Sequence, residues 1–217
     1  MTLALVFDLD GVIVDSNPVH EVAWREYAGR FGVTLDGGLR ERMYGKRNDE
    51  IVRFLFGEHL GEQEILARGA AKERLFRELL GPQLQERLVP GVADFLERHR
   101  EALIGLASNA ERPNVDFVLN QSGLRKYFRV VVDGFQALVP KPDPEIYLRT
   151  AALLGVDPRN CIVFEDSFSG VAAARGAGAR VVGVTTTHQD LGSVDLLIED
   201  FESVDLEPWL RQQKPVA

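Results

Sequence analysis

The sequence has few of the features that mark secreted, membrane and nucleic-acid-binding proteins. It contains one cysteine, Cys161, so no disulfide can form within the chain, and the apolar run NCIVFED around it favours a buried small side chain over a nucleophile. No apolar run approaches the roughly 18 to 20 residues that span a bilayer. The first residues, MTLALVFDLDGV, lack the basic stretch of a signal peptide. We therefore expect a cytoplasmic protein that does not bind membranes.

Positive charge is scarce as well. The 217 residues include 33 acidic and 25 basic side chains, which give a formal net charge of -8. This balance disfavours nonspecific binding to nucleic acid or to anionic lipid. A small anionic substrate must then be bound by a few local basic side chains. We expect the protein to be a monomer or a weak dimer.

Strand-like and helix-like segments alternate through most of the chain. The strand-like runs are continuously apolar, as in parallel strands that are covered on both faces. The helix-like segments carry apolar residues at helical spacing, and three of them end at glycine. The alternation predicts an α/β fold with a doubly wound parallel sheet and right-handed crossovers. The predicted strands are residues 3–9, 103–108, 130–134, 161–166, 180–185 and 195–200, and the predicted helices are residues 90–100, 112–123, 143–155 and 169–178.

Residues 16–87 break this alternation. They contain helical segments at 17–32, 48–57 and 62–81, and no convincing strand. We predict a helical cap domain, inserted after the first strand into a core of residues 1–15 and 88–217. The connections are expected near Asp15 and near Pro90. The alternative is a set of extra helices that pack flat on the sheet.

Polar side chains follow several of the predicted strands, at the edge where a doubly wound sheet binds its ligands. Each has an ordinary explanation when taken alone, such as a helix cap for Ser108 or a solvated loop lysine for Lys141. Together, four carboxylates, a hydroxyl and an ammonium group would repel one another unless a cation and an anion bind between them. The pattern therefore predicts a site for magnesium and phosphate. Its members are Asp8, Asp10, Ser108, Asn109, Lys141, Glu165 and Asp166.

The spacing of Asp8 and Asp10 suggests two different roles. Residues two apart on an extended chain face the same side, so both carboxylates can address one substrate group. One carboxylate can attack phosphorus, and the other can protonate the leaving oxygen and later deprotonate water. Lys141 and the cation would neutralise the transferring phosphoryl group, while Ser108 and backbone amides would supply hydrogen bonds.

Four motifs, in this order, resemble those of the haloacid dehalogenase superfamily of phosphatases and phosphotransferases. They are DLDGV at 8–12, ASN at 107–109, Lys141 in KPDP, and EDSFSG at 165–170. The resemblance implies that Asp8 becomes an aspartyl phosphate and that Asp10 is the general acid and base. It also implies that Mg²⁺ is held by Asp8, the carbonyl of Asp10 and Asp166, with Glu165 supporting or joining them.

The helical insertion resembles the small cap of the subgroup that includes β-phosphoglucomutase, phosphoglycolate phosphatase and sugar-phosphate phosphatases. His20 and Trp24 lie four residues apart on the first cap helix and resemble a pair in β-phosphoglucomutase, where the histidine contacts the general acid and the substrate. A buried structural stripe is an equally good explanation, because residues four apart share a helix face in either case. Closure of the cap is expected to bring His20, Lys46 and Arg47 toward the substrate.

Two positions depart from the mutase pattern, which requires a second phosphate-binding site. The cap arginine of the mutase falls on Asn48 in an ungapped alignment, although Arg47 is adjacent. Its lysine and asparagine after the motif serine fall on Glu111 and Arg112, so that an acid replaces a base. The substitution disfavours a mutase, whereas Arg112 could still hold a phosphate.

These observations predict a magnesium-dependent phosphatase of small phosphorylated metabolites, with sugar phosphates as the first candidates and β-phosphoglucomutase as the alternative activity. A signalling receiver domain is disfavoured, because its phosphorylated aspartate is expected on a middle strand and because it needs no cap. A dinucleotide-binding domain is disfavoured because no GxGxxG follows the first strand. The predicted substrate-binding residues are Asn109, His20, Trp24, Arg47, Lys46 and Arg112.

Overall fold

The chain is built around a six-stranded sheet in which all neighbouring strands are parallel. The computed structural model describes residues 2–35 and 47–216. The strand order, β3-β2-β1-β4-β5-β6, places the first strand of the chain inside the sheet, and the predicted α/β class is confirmed. The strands are β1 (Ala4–Phe7), β2 (Leu103–Ala107), β3 (Val130–Val132), β4 (Cys161–Glu165), β5 (Arg180–Val184) and β6 (Leu196–Ile198).

The continuous apolar character of β1 reflects burial on both faces of the sheet. Leu5 and Phe7 belong to one apolar cluster, and Ala4 and Val6 belong to a second cluster on the opposite face. The neighbouring strands and the helices that cover the sheet supply other members of both clusters. On the first face these are α4 (Val92–Arg98), α5 (Arg112–Gln121) and α8 (Leu206–Gln212), and on the second they are α6 (Glu145–Leu154) and α7 (Phe168–Gly176).

Aromatic packing holds the end of β1 rigidly. The Phe7 ring stacks on Phe164 of β4 at 4.6 Å between centroids, and it meets Phe95 of α4 edge-on at 6.1 Å. All three side chains are fully buried. Replacing any of them with alanine would cost about 3 to 5 kcal/mol of stability. The residue that follows Phe7 therefore starts from a well-fixed position.

Hydrogen bonds continue beyond the last residues of two strands. The Asp8 amide donates to the Phe164 carbonyl at 3.1 Å, and the Ser108 amide donates to the Val132 carbonyl at 3.0 Å. The functional side chains at these two strand ends are thus held by the sheet itself. Loops alone would position them less tightly.

In the described part of the interval between β1 and α4, three further α-helices lie at the predicted places. They are α1 (Asn17–Gly29), α2 (Asn48–Phe56) and α3 (Glu62–Leu80), and both α1 and α2 pack against α3. The apolar cluster on the first sheet face continues into this group through residues such as Trp24 and Phe76. The assignment of residues 16–87 to a separate cap domain stays a prediction. For brevity, we call the described residues within 16–87 the cap and the rest of the described chain the core.

The two connections between cap and core lie side by side. Val14 and Leu88 form an antiparallel bridge. The Asp15 amide donates to the Arg87 carbonyl at 2.8 Å, and the Val89 amide donates to the Ile13 carbonyl at 3.0 Å. The chain therefore enters and leaves the cap through one short two-stranded ribbon. No helix in the described part of the chain has the length and apolar character needed to span a membrane.

Candidate active site

Lys141 lies at the centre of a buried polar cluster at the carboxyl edge of the sheet. Its Nζ is 2.7 Å from Asp8 Oδ1 and 2.6 Å from Glu165 Oε1, and it also donates to the Ala107 carbonyl at 3.0 Å. Burial alone would lower the pKa of Lys141, but the charges of Asp8 and Glu165 raise it above its usual value. The lysine is therefore held as an ammonium ion with all three protons engaged.

Glu165 is fully buried and saturated with hydrogen bonds. Besides Lys141, its Oε1 accepts the Tyr147 hydroxyl at 2.5 Å. Its Oε2 accepts the amides of Asp166 at 3.1 Å and Ser167 at 3.4 Å, together with the Ser167 hydroxyl at 3.1 Å. Glu165 thus fixes Lys141, which fits the supporting role expected of it better than direct metal binding.

Asp166 is fixed from the side of the cap. Its Oδ2 accepts a hydrogen bond from the Thr187 hydroxyl, which in turn accepts one from Asn17 Nδ2 at 2.7 Å. Asn17 is the first residue of α1, so this carboxylate is tied to the start of the cap. Tyr147, Thr187 and Asn17 were not predicted, because each reaches the cluster from a helix or loop whose orientation only the fold determines.

The negative charge of this cluster exceeds what Lys141 can neutralise. Burial, and then the neighbouring Glu165 and Asp10, raise the pKa of Asp8 to about 7 despite the opposing effect of Lys141. Burial, Glu165 and Asp8 likewise raise the pKa of Asp166 well above its usual value. Ligand oxygens of Asp8, Glu165 and Asp166 lie within 4.8 Å of one another. An oxygen-lined, anionic site of this kind suits Mg²⁺, so the residues present fit the expected metal.

Asp10 has a different environment, made largely by the cap. The Ser16 hydroxyl donates to Asp10 Oδ1 at 2.5 Å, and His20 Nε2 lies 3.7 Å from the same oxygen. Burial opposes ionisation, but His20 and Ser16 outweigh it and lower the pKa of Asp10 below its usual value. The pKa values of the two neighbouring aspartates are therefore shifted in opposite directions, which suits two different roles.

His20 is oriented by a second cap residue. Its Nδ1 lies 2.6 Å from Lys72 Nζ, and because an ammonium group can only donate, Nδ1 accepts and Nε2 carries the proton that faces Asp10. The ring stacks on Phe76 at 3.7 Å between centroids. Trp24 is buried, and Lys72 Nζ lies 4.9 Å from the centre of its ring. His20 and Trp24 therefore pack within the cap as a structural pair, and His20 also contacts the site at Asp10.

Ser108 and Asn109 organise the loop after β2. The Ser108 hydroxyl oxygen accepts the Ala110 amide at 3.0 Å, so its own proton is not used in that contact. Asn109 Oδ1 accepts the Lys141 amide at 3.3 Å. These bonds join the second and third motifs, and Ser108 keeps a donor for a ligand.

A cavity of about 440 Å³ lies between the cap and the carboxyl edge of the sheet. Asp8, Asp10, Ser108, Lys141 and Asp166 all line it, whereas Glu165, also predicted as a metal ligand, does not. Of the predicted substrate-binding residues, four line it and a fifth, Lys46, lies outside the described residues. The four are Asn109, His20, Trp24 and Arg47, and the lining residues that were not predicted include Asn48, Lys72, Asn114 and Phe135.

Arg112 does not line this cavity. Its guanidinium is 2.8 Å from Asp116 Oδ2 and 3.6 Å from Asp133 Oδ2. Because two carboxylates on the core already neutralise it, the structure gives no support to Arg112 as a substrate-binding residue. Substrate binding by Arg112 was predicted from its position in the sequence, which does not show that Asp116 and Asp133 lie beside it.

The wall of the cavity away from Asp8 joins the cap to the core. Arg47 donates from its guanidinium to the Gly134 carbonyl at 3.1 Å, and Asn48 Nδ2 donates to Glu111 Oε1 at 2.9 Å. Glu111 therefore brings negative charge to this wall, as its place in the sequence led us to expect.

The position of β1 changes one of the arguments made from sequence. Because β1 lies between β2 and β4, Asp8 follows a central strand of the sheet. Strand position is thus no argument against a receiver domain. A receiver domain is disfavoured instead by the helices between β1 and α4, which it does not need.

Comparison with known proteins agrees with this geometry. The profile of haloacid dehalogenase-like hydrolases matches residues 2–178. β-Phosphoglucomutase of Bacillus subtilis is 32% identical over 214 residues, which cover 94% of this chain and 92% of that protein. A phosphorylated carbohydrates phosphatase of Thermotoga maritima is 36% identical over 195 residues, which cover 86% and 87%.

The crystal structure of β-phosphoglucomutase from Clostridium difficile superposes on this fold with a TM-score of 0.87. That match has 28% sequence identity and covers 97% of this chain and 96% of the other. Sequence and fold thus agree over nearly the whole chain. The protein is an enzyme that belongs to the haloacid dehalogenase-like hydrolases.

Proposed function

We propose that this enzyme is a magnesium-dependent phosphatase of small phosphorylated metabolites, with sugar phosphates as its first candidate substrates. One observation carries the proposal. Asp8 and Asp10 lie in one cavity, with Lys141 2.7 Å from Asp8 and His20 3.7 Å from Asp10. The names of the Thermotoga maritima and Bacillus subtilis relatives support a phosphorylated carbohydrate as the substrate class.

The two aspartates divide the reaction between them. A carboxylate oxygen of Asp8 attacks phosphorus and forms an aspartyl phosphate, while Asp10 gives a proton to the leaving sugar oxygen. Asp10 then takes a proton from water, which attacks the same phosphorus and releases inorganic phosphate and free Asp8. His20 and Ser16 lower the pKa of Asp10 and so favour the ionised form that acts in this second step.

The surrounding residues stabilise the charge of the phosphoryl group. Lys141 holds Asp8 in place and supplies a fixed positive charge, and the Ser108 hydroxyl can donate to a phosphoryl oxygen. Mg²⁺, held by Asp8, Asp166 and the Asp10 carbonyl, would supply the positive charge that lets an anionic nucleophile approach an anionic substrate. Glu165 keeps Lys141 aligned.

Two features of the far wall favour hydrolysis over isomerisation. A mutase must hold a second phosphate, and here Glu111 presents a carboxylate while the nearby Arg112 is paired with Asp116 and Asp133. β-Phosphoglucomutase activity remains the second candidate, because two of the similar proteins bear that name. Arg47, which lines the cavity, would then be the candidate for the second phosphate clamp.

A single incubation distinguishes the two activities. The enzyme is supplied with β-glucose 1-phosphate, Mg²⁺ and a trace of glucose 1,6-bisphosphate, and both inorganic phosphate and glucose 6-phosphate are followed. We expect phosphate release with little glucose 6-phosphate, and phosphate release from other monophosphates in parallel assays. Rapid isomerisation with negligible free phosphate would establish the mutase instead.

A further inference from the structure

Asn114 joins the cap to the core through two short hydrogen bonds. It lies on α5 of the core and is 3% exposed. Its Nδ2 donates to Glu73 Oε2 at 2.6 Å, and its Oδ1 accepts from Arg77 Nη1 at 2.6 Å. Glu73 and Arg77 are four residues apart on α3, so one amide side chain bridges adjacent turns of a cap helix.

One partner of Asn114, Glu73, needs the amide because it is a buried charge, whereas Arg77 is only partly buried. Glu73 is 3% exposed, and its Oε1 is 2.9 Å from the Nζ of the equally buried Lys72. A buried ion pair is stable only when its remaining hydrogen-bonding capacity is used. Lys72, His20 and the Asn114 amide lower the pKa of Glu73 to about 2 although burial opposes it. Removing the Asn114 amide takes away the hydrogen bond that it donates to the buried Glu73 Oε2.

The same charges lead to the general acid and base. Lys72 contacts Glu73 on one side and His20 Nδ1 on the other, at 2.6 Å. His20 Nε2 in turn faces Asp10 at 3.7 Å. The orientation of His20 thus depends on a chain of contacts whose far end is anchored on the core by Asn114.

Separation of cap and core would break this anchor. The main-chain connections between them run through the ribbon at residues 13–15 and 87–89, whereas Asn114 lies on α5. Movement of α3 away from α5 would cost both of its hydrogen bonds and leave Glu73 without a core partner. We propose that Asn114 is a positioning residue that latches the cap onto the core through Glu73 and Arg77, and thereby sets the fraction of enzyme in which His20 lies beside Asp10.

A kinetic test uses leucine, which has the same branching and the same number of side-chain heavy atoms as asparagine but cannot form either hydrogen bond. Asn114→Leu should lower kcat/KM for β-glucose 1-phosphate hydrolysis by about tenfold or more, mainly through a higher KM, because a rarer closed state weakens apparent affinity. The matched control is Asn120→Leu, which changes an exposed asparagine on the same helix and should leave both constants within about twofold. A fall in kcat with unchanged KM would overturn the proposal.

Because Asn114 also lines the cavity, a second variant separates latching from direct substrate contact. Arg77 does not line the cavity, so Arg77→Met removes one bond of the latch without touching the substrate. It should raise KM in the same direction, and adding it to Asn114→Leu should have little further effect. Fully additive effects, or an unchanged KM in Arg77→Met, would contradict the latch. This variant also serves if Asn114→Leu does not fold.

The kinetic test rests on the proposed function, because it needs a substrate that the enzyme hydrolyses. A direct measurement of the cap–core distance does not. Spin labels at the exposed positions Gln63 of the cap and Glu101 of the core report the cap–core distance in the ligand-free enzyme, and the native Cys161 is buried. We expect one narrow distance distribution for the parent and for Asn120→Leu, and a second, longer component in Asn114→Leu. Identical distributions would overturn the latch, whereas an inactive parent with the expected distributions would overturn only the phosphatase assignment.

Discussion

Two glycines leave the space that the buried carboxylates of the site occupy. A Cβ on Gly170 would lie 1.9 Å from Glu165 Cδ, and a Cβ on Gly11 would lie 1.8 Å from Asp166 Oδ2. Gly11 also has a φ of 74°, which other residues adopt at a cost. The glycines of DLDGV and EDSFSG are therefore needed for the placement of the acids beside them.

Gly170→Ala tests this at the level of one methyl group. Glu165 must move, and its bonds to Lys141 and Tyr147 must weaken, so we expect a loss of about 1 to 3 kcal/mol in unfolding free energy and at least a tenfold fall in activity. Urea unfolding and phosphate release measure the two effects. Gly29→Ala is the control, because nothing lies within 4 Å of its added Cβ and a helical alanine is expected to stabilise slightly.

Asp8→Asn tests the nucleophile. The amide is nearly isosteric but cannot form an acyl phosphate, so turnover should fall to background. Because burial disfavours the charge on Asp8, we expect the variant to be no less stable than the parent at pH 7.5 without added metal. Phosphate release and thermal unfolding are measured on the same preparation. Near-normal activity in a clean preparation would remove Asp8 from its role.

The sequence allowed prediction of the residues that follow strands but not of those that reach the site from helices. Asp8, Ser108 and Asp166 come directly after apolar runs, and the geometry of a parallel sheet predicts that such residues meet. Tyr147 and Asn114 lie on helices, and their contacts depend on how each helix is rotated against the sheet. The apolar pattern of a helix indicates its buried face but not which polar residue at the border of that face will find a partner.

At the scale of elements, the predicted helices are present and their ends differ by a few residues. The first cap helix was expected over residues 17–32 and ends at Gly29. Gly32, with a φ of 72°, lies in the turn that follows, where the Val33 amide returns to the Ala28 carbonyl. The helix α8 was not predicted, because it has seven residues and only Leu206 of them is buried. So short an amphipathic pattern cannot be told from a loop.

A buried charge pair within α3, Lys72 and Glu73, lies against His20 and Trp24 of α1, which gives a prediction for the cap. Lys72→Met leaves Glu73 buried without its ammonium partner, so we expect a loss of about 3 to 5 kcal/mol in the unfolding free energy of the part that contains the cap. The double variant Lys72→Met with Glu73→Gln removes both charges and should be less destabilised than the single variant. Urea unfolding followed by tryptophan fluorescence, with Trp24 beside Lys72, reports the difference. Equal losses would show that the charge pair has no special role.

For the whole molecule, the raised pKa values of Asp8 and Asp166 link folding to pH and to magnesium. Between pH 3.8 and about 7 the folded protein retains protons on these two groups that the unfolded chain has released, so their contribution to the stability of the metal-free protein falls as pH rises through this range. Under the proposed function Mg²⁺ would bind the ionised carboxylates, so it should raise the unfolding temperature more at pH 8 than at pH 5.5. Thermal unfolding with and without Mg²⁺ at both pH values measures this.

Three controls sharpen the magnesium prediction. Asp166→Ala should weaken the pH 8 response to Mg²⁺ and raise the concentration needed for activity, and an excess of chelator should stop turnover by the parent enzyme. Calcium should replace magnesium poorly, because Mg²⁺ requires a tighter octahedral arrangement. The same Mg²⁺-induced shift at both pH values would contradict ionisation of these carboxylates on metal binding.

The short ribbon at residues 13–15 and 87–89 places both ends of the cap at one point on the core. Because the entering and leaving strands are already hydrogen-bonded neighbours, a tight turn can replace everything between them without moving β1 or α4. By the same reasoning, a cap taken from a relative needs only two adjacent splice points to be transplanted onto this core. Under the proposed function, exchanging the cap by recombination or in the laboratory would change substrate selectivity, while the catalytic residues at the sheet edge would stay the same.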